Sequence, residues 1–345
     1  MADTNDKNTP KNLKLESVED LMKKKIDPTL NLVGDGHIVR GNDRIHLLAG
    51  HAGVGKSRAV TYLVKCLVTG EKWFGLDIPN KTKTLIIQTE NGIRRLQEEL
   101  KPHQKVLSGN LFYADVNEDI NLRDSHYRER IRQTIIDKKI GLLVFDPWNQ
   151  FVNDSSQKDY KPVLDMILGC LPTNPKECPA VLIVAHCRKP SNHKHRRVRG
   201  RDLMHEVSGS SILTAKARSV FVIEHLHPLD NNDARIIFTC AKSNDAKLSP
   251  RGCYQPSPDI FTQVEDFDWS EYNRGQRPGA KPKYGVEELV NLITSGEFLR
   301  NKDWLERAEN VMGISVSLFN ELVREAKVNK LVKLTRGKGY SNVSA

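Results

Sequence analysis

The sequence predicts an α/β protein, in which a mostly parallel, twisted sheet flanked by helices precedes a small C-terminal winged helix-turn-helix domain. Two observations lead to this prediction. Short apolar runs alternate with helical stretches between residues 26 and 245, and continuous apolar runs are typical of strands buried on both faces of a parallel sheet. From residue 283 the pattern changes to three helices followed by a short hairpin, which is the element order of a winged helix.

The chain is long enough for one large domain and one smaller domain, because it has 345 residues. Residues 1–25 are polar and lysine-rich, which predicts a flexible or loosely helical lead-in, in which residues 13–24 could form a short amphipathic helix. Residues 26–245 form the predicted α/β domain. Residues 246–282, rich in Pro, Gly and polar groups, are predicted to be a linker with one strand near residues 260–264. Residues 283–345 are predicted to form the winged helix.

Charge and composition narrow the class of partner. A net charge of +10 favours a polyanion, and nucleic acid before a membrane, because no apolar run has the length of a membrane span. The start lacks the apolar segment of a secretory signal. The six cysteines show no C-x-x-C pairing, which favours incidental thiols in a reducing cytoplasm over a metal site.

The predicted α/β domain has seven apolar strands separated by helices. The last two are joined by a polar turn, so they are predicted to form an antiparallel hairpin at the edge of the sheet. The strands are predicted at residues 45–49, 84–89, 111–114, 141–145, 180–185, 219–224 and 235–240.

A glycine-rich turn follows the first of these strands and opens into a helix. Gly50, Gly53 and Gly55 allow several N–H groups to converge on one anion. Lys56 would reach the β- and γ-phosphates of a nucleotide and Ser57 would hold Mg²⁺. The alternative is a glycine turn that happens to precede a lysine. The residues predicted to bind ATP are Gly50, Ala52, Gly53, Val54, Gly55, Lys56, Ser57 and Arg58.

Two carboxylates follow buried strands at the edge where a nucleotide would lie. Asp146 ends the strand at residues 141–145 and would hold Mg²⁺, or it would cap the turn before Pro147. Glu90 follows the strand at residues 84–89 and would deprotonate the attacking water. The alternative for Glu90 is an acid that caps the next helix.

His186 ends the strand at residues 180–185, where it could sense the γ-phosphate or be structural. A dense basic segment, residues 193–201, follows it and is predicted to be a mobile loop that contacts phosphodiesters. The alternative is a nuclear-targeting or solvated run. The predicted nucleic-acid contacts are Lys194, Arg196, Arg197, Arg199 and Arg201.

Two further basic groups lie near strand boundaries late in the predicted sheet. Arg218 or Lys242 could cross a subunit interface and act on a neighbour's γ-phosphate, or each could form a surface salt bridge. A candidate nucleic-acid face lies on the winged helix, with protein docking as the alternative. Its residues are Lys327, Lys330, Lys333, Arg336, Lys338 and Tyr340.

Together these residues resemble the RecA-like ATPase core, and more narrowly the plasmid RepA-type hexameric replicative helicases, cousins of DnaB. The resemblance covers residues 26–245 and implies a ring in which ATP lies between subunits and pore loops pull single-stranded DNA. It implies that Arg218 is the interface arginine, with Lys242 beside it. It is carried by residues 45–57, Glu90, Asp146, His186, residues 208–211 and residues 241–244.

The function expected from the residues and the resemblance is an ATP-driven motor on single-stranded DNA, serving replication of a plasmid, phage or integrated element. A nucleotide-regulated loader or regulator, in which the winged helix reads duplex DNA, is the first alternative. A RecA-like recombinase or KaiC-like ATPase is the second.

Overall fold

The computed structural model describes residues 15–42, 44–114, 120–152, 160–188, 198–208, 210–227, 232–273, 285–335 and 337–343. The chain divides into two compact units, Met1–Gly275 and Gln276–Ala345. None of the helices in these ranges combines the length and apolar character needed to cross a membrane.

The first unit is built on one nine-stranded sheet in the order β11-β10-β9-β8-β3-β7-β6-β4-β5. The strands from β8 to β5 in that order pair in parallel, whereas β9, β10 and β11 pair antiparallel at the other side. A separate hairpin of β1 and β2 precedes the sheet. The strands are β1 Asn31–Val33, β2 Ile38–Val39, β3 Ile45–Gly50, β4 Lys83–Gln88, β5 Leu111–Tyr113, β6 Ile140–Asp146, β7 Ala180–His186, β8 Ser219–His225, β9 Ile236–Ser243, β10 Gly252–Pro256 and β11 Phe261–Gln263.

Helices cover both faces of this sheet, because its central strands are apolar on both sides. In β3, Leu47 and Ala49 pack into one core, whereas Leu48 packs into the other. The α-helices of the first unit are α1 Val18–Lys23, α2 Lys56–Thr69, α3 Ile93–Leu100, α4 Gln104–Leu107, α5 Ser125–Lys138, α6 Tyr160–Gly169, α7 Ser210–Lys216 and α8 Trp269–Asn273. Helices α5, α6 and α7 contribute to the first core, and α2 and α4 contribute to the second.

The mostly parallel sheet flanked by helices agrees with the predicted fold class. The predicted linker differs, because residues 252–256 and 261–263 form β10 and β11 and extend the sheet beyond β9. Strand β11 lies within the strand predicted near residues 260–264, whereas β10 was missed because Gly252 and Pro256 interrupt the apolar pattern. The predicted edge hairpin of β8 and β9 is therefore covered by two more strands.

The polar start of the chain contains one short helix within its described part. Helix α1 begins after Ser17, whose side chain accepts a hydrogen bond from the Asp20 N–H, and it has no buried residue. Val18 and Met22 are 70% and 81% exposed, so this helix is not part of the core.

The described residues of the second unit form three helices followed by a hairpin. These elements are α9 Val286–Val290, α10 Asn301–Met312, α11 Val316–Val328, β12 Val332–Thr335 and β13 Gly339–Asn342. Trp304 lies at the centre of its core, with its ring 5.5 Å from those of Phe319 and Tyr340. Leu299 pairs with Tyr340, which adds a bridge to the hairpin. The order of elements agrees with the sequence, although α9 is shorter than the predicted helix.

Candidate active site

The glycine-rich turn between β3 and α2 has a backbone that only glycine adopts readily. Gly53 and Gly55 have φ values of 78° and 92°, which disfavour other residues. Gly50 is needed for space, because a Cβ there would lie 2.6 Å from the Ile223 carbonyl oxygen. Gly55 precedes α2 without a side-chain cap, so the first N–H groups of the helix are directed at a ligand. These features form an anion cradle at the carboxyl end of β3.

Lys56 places a buried cation beside this cradle. Its ammonium donates to the His51 carbonyl oxygen at 2.9 Å and lies 3.2 Å from His186 Nδ1. Because an ammonium can only donate, Nδ1 is the acceptor and the imidazole is neutral. Burial lowers the pKa of Lys56, while the Asp146 charge opposes that shift. An anion bound in the cradle would therefore stabilise the charged form of Lys56, which burial disfavours.

The Ser57 hydroxyl and the Asp146 carboxylate meet across the floor of the site. Burial raises the pKa of Asp146 to about 6, and the hydrogen bond from Ser57 and the charge of Lys56 oppose that rise. A hydroxyl and a partly desolvated carboxylate are the oxygen ligands that Mg²⁺ prefers. The described residues include no cluster of three His, Cys, Asp or Glu side chains that could hold a metal by themselves.

Glu90 lies in the turn after β4, two residues beyond the end of the strand. Its side chain is exposed and lines the same cleft as Lys56 and Asp146. Its charge contributes to the pKa shifts of both of those residues, which shows that the three groups are close. The cleft has a volume of about 520 Å³, which is within the range of small-molecule sites.

Comparison with known proteins agrees with this arrangement. A family model described as an AAA domain matches residues 9–192, which is more than half of the chain. The chain belongs to this AAA domain family. The predicted P-loop ATPase core is confirmed at this level. The solved structure of the RadB recombinase is similar over 66% of this chain and 93% of its own length, with 13% sequence identity and a TM-score of 0.43. No curated protein matches the chain.

The residues of this AAA domain fit ATP and Mg²⁺. The cradle, the ammonium of Lys56 and the uncapped helix are suited to phosphates, and the Ser57–Asp146 pair is suited to the metal. Of the residues predicted to bind ATP, all except Gly50 line the cleft; these are Ala52, Gly53, Val54, Gly55, Lys56, Ser57 and Arg58. Gly50 instead ends β3 behind the turn.

Several residues line the cleft that sequence reasoning missed. Arg95 lies on α3, His225 ends β8, and His227 lies two residues beyond that strand. Asp233 lies opposite, 3.7 Å from His227 and 2.9 Å from Arg235. None belongs to a short motif, so only the parallel order of the strands, which brings their carboxyl ends together, could have indicated them.

Arg218 and Lys242 lie at the opposite end of the sheet from the cleft. Arg218 immediately precedes β8, and Lys242 pairs with Val220 near the start of that strand. Arg218 forms two hydrogen bonds to Asp245, one of them 2.9 Å long. Lys242 donates to the carbonyl oxygens of Thr214 and Ala215 at the end of α7. Neither cation is positioned at the nucleotide site of its own chain.

The stretch between His186 and Ser208, which contains the basic segment, is closed at its base. Cys187 pairs with Val207, and the Ser208 N–H donates to the His186 carbonyl at 2.8 Å. Lys194, Arg196 and Arg197 lie outside the described residues. Arg201 is exposed, as a nucleic-acid contact requires.

Arg199 differs from the other predicted contacts of this segment. Its guanidinium lies over the ring of Tyr272, 4.7 Å from the centroid. Tyr272 is buried and donates to Glu224 at 2.7 Å. The cation–π contact holds the end of the basic segment against α8.

Proposed function

We propose that this AAA domain protein is a RecA-like, ATP-driven motor on single-stranded DNA. It works as a hexameric ring and serves replication of a plasmid, phage or mobile element. The observation that carries the proposal is the 3.2 Å contact between Lys56 and His186. It joins the cation expected at the γ-phosphate to His186, which ends β7 and precedes the stretch that contains the basic segment.

In this proposal hydrolysis depends on groups that already line the cleft. Lys56 and the N–H groups at the start of α2 hold the phosphates, and Glu90 accepts the proton of the attacking water. Mg²⁺ bound by Ser57 and Asp146 would neutralise charge on the β- and γ-phosphate oxygens. Loss of the γ-phosphate changes the partner of Lys56, and His186 passes that change to the Cys187–Val207 base of the basic segment.

In this proposal the ring is inferred from the positions of Arg218 and Lys242. Arg218 and Lys242 lie at the amino end of β8, so only the site of a neighbouring copy could use them. Of the two, Lys242 is the stronger candidate for action in trans. Neutral carbonyl groups hold its ammonium, whereas the Asp245 carboxylate neutralises Arg218.

The test compares ATP hydrolysis with and without single-stranded DNA in the full-length protein. We expect DNA to stimulate the unaltered protein by about tenfold or more. Replacing Lys194, Arg196 and Arg197 by Gln should abolish this stimulation. It should also reduce the salt dependence of single-strand binding, by about 2 in the slope of log K against log salt.

A matched control removes the same charge elsewhere. Lys101, Lys105 and Lys139 are exposed lysines of the first unit, and replacing them by Gln should leave stimulation intact. If both triple variants lost DNA stimulation equally, the stimulation would depend only on net charge, which would contradict the proposal. Sedimentation with an ATP analogue should give a hexamer, whereas filaments would favour a recombinase.

A nucleotide-regulated loader is the second candidate, because the second unit also carries an exposed basic surface. Lys330, Lys333 and Lys338 lie at the end of α11 and on the hairpin, and all three are exposed. We propose that this unit is a winged helix. If replacing these three lysines by Gln removes duplex binding while the basic segment is dispensable, the loader is favoured over the motor.

A further inference from the structure

The turn that carries Glu90 is held by a buried glutamine that the proposed mechanism does not use. Gln88 ends β4, is 4% exposed and lies in register with Asp146 on β6. Its amide nitrogen donates to the Asn91 carbonyl at 2.8 Å, and its amide oxygen accepts the Asn91 N–H at 2.8 Å. The two bonds connect the Gln88 side chain to the main-chain carbonyl and N–H of Asn91, three positions along the chain. We call this pair of bonds the Gln88 bracket.

The Gln88 bracket restrains the main chain of the two residues between its ends. Thr89 and Glu90 lie between its ends, and the Thr89 N–H donates to the Asp146 carbonyl at 3.2 Å. The turn is therefore tied both to the side chain of Gln88 and to the strand that carries Asp146. Because the Glu90 side chain is exposed, its position over the cleft depends on this backbone.

We propose that Gln88 is a positioning residue, which fixes Glu90 at the distance from Lys56 and Asp146 that water attack requires. This inference rests on the proposed role of Glu90. An error of about 1 Å in the placement of a reacting group can cost about a hundredfold in rate. Gln88 itself is buried and both of its hydrogen bonds go to Asn91, so it acts through Glu90.

The test replaces Gln88 by Met, which keeps the volume of the side chain and removes both hydrogen bonds. We expect kcat for ATP hydrolysis to fall by about 10- to 100-fold. KM and the affinity for an ATP analogue should change by less than about twofold, because the phosphates are held by residues 50–57. Asn91→Ala is the matched control, since only the main chain of Asn91 enters the bracket, and it should keep kcat.

A double variant separates positioning from a general loss of structure. If Gln88 acts through Glu90, Gln88→Met should slow the Glu90→Gln protein no further, because the group it positions is already gone. A purely structural role would multiply the two losses and would overturn the inference. Glu90→Gln alone should lower kcat by about a hundredfold or more. If it does not, the proposed base is wrong, which is a different failure from a wild-type kcat in Gln88→Met.

Gln88→Glu provides a second readout if the Met variant fails to fold. A protonated carboxyl can donate to the Asn91 carbonyl and accept its N–H, as the amide does, whereas a carboxylate cannot donate. As a carboxylate at pH 8 it would keep only the bond from the Asn91 N–H, so kcat should fall while KM changes by less than about twofold. A kcat equal to that of the unaltered protein would contradict the bracket.

Discussion

The two ends of the parallel strands differ in how their charged groups are satisfied. At the amino end, Asp245 accepts hydrogen bonds from both Arg218 and Arg44. At the carboxyl end, Lys56 is buried against a carbonyl and a neutral imidazole, and Asp146 is held by one hydroxyl. The charged groups at the amino end therefore stabilise the fold without a ligand. Those at the carboxyl end would be stabilised further by a bound anion and a bound cation.

The largest expected effect follows from removing the cation at the carboxyl end. Lys56→Ala should lower ATP hydrolysis by about a hundredfold or more, because the phosphates lose their buried positive partner. Arg218→Ala should leave nucleotide affinity unchanged, because Arg218 lies at the other end of the sheet. Hydrolysis rates and binding of a fluorescent ATP analogue measure both effects. Undiminished hydrolysis by Lys56→Ala would remove the basis of the proposed site.

The next effect concerns His46, a buried and satisfied histidine near the amino end of β3. Ser219 donates its hydroxyl proton to the His37 carbonyl at 2.5 Å, so His46 Nδ1 must donate to Ser219 at 2.7 Å. His46 Nε2 then accepts the Val39 N–H at 3.2 Å. A second ring proton on Nε2 could donate to the Val39 carbonyl, also 3.2 Å away, which opposes the effect of burial without outweighing it. Burial lowers the pKa of His46 to about 4.

The sign of the pH dependence follows from that shift. The unfolded chain binds a proton near pH 6.5, whereas the folded chain does so only near pH 4. The contribution of His46 to the free energy of unfolding is complete above pH 6.5 and is lost, by about 3 kcal/mol, as pH falls to 4. An NMR titration of the His46 ring should show it neutral at pH 5. A ring that titrates near 6.5 would contradict this account.

Asp146 has the opposite dependence. Its folded pKa is about 6 against an ordinary value of 3.8, so its contribution to stability is lost as pH rises from about 4 to about 6. Asp146→Asn should therefore stabilise the nucleotide-free protein by about 2 to 3 kcal/mol at pH 7.5 while abolishing hydrolysis. Urea unfolding of both proteins at pH 7.5 and pH 4 measures the difference, which should nearly vanish at pH 4. A variant less stable at pH 7.5 would show that ionised Asp146 supports the fold.

The same contrast explains what the sequence could predict. The glycine turn was predictable because a phosphate cradle needs particular residue types at fixed spacing. Asp146 was predictable because it ends an apolar strand that follows this turn in strand order. The Gln88 bracket was not, because its partner is the main chain of Asn91, which has no sequence signature. Strand β10 was missed because a strand near the edge of a sheet, with a Pro at its end, lacks the continuous apolar pattern of the central strands.

The predicted roles of the basic residues show the same limit. A sequence shows that Arg199 and Arg201 are cations near one another, but not what each faces. Arg199 lies over Tyr272, whereas Arg201 is exposed. The aromatic partner of Arg199 lies on α8, about 70 residues later in the chain, in a stretch that the sequence predicted to be a linker. Long-range contacts of this kind depend on the packed fold and leave no local pattern.

The smallest expected effect tests whether the amino end is merely structural. Arg218→Ala should lower the free energy of unfolding by about 1 kcal/mol, because the ion pair with Asp245 is partly exposed and Arg44 still contacts that carboxylate. Hydrolysis per folded chain distinguishes the two roles. If Arg218 acts in trans, mixing inactive Arg218→Ala and Lys56→Ala subunits should restore activity, because the intact Lys56 of one subunit then meets the intact Arg218 of the other. A structural Arg218 leaves its own variant active, and mixing adds nothing. Asp245→Asn is the matched control, since it should cost similar stability while leaving the guanidinium free to reach a neighbouring copy.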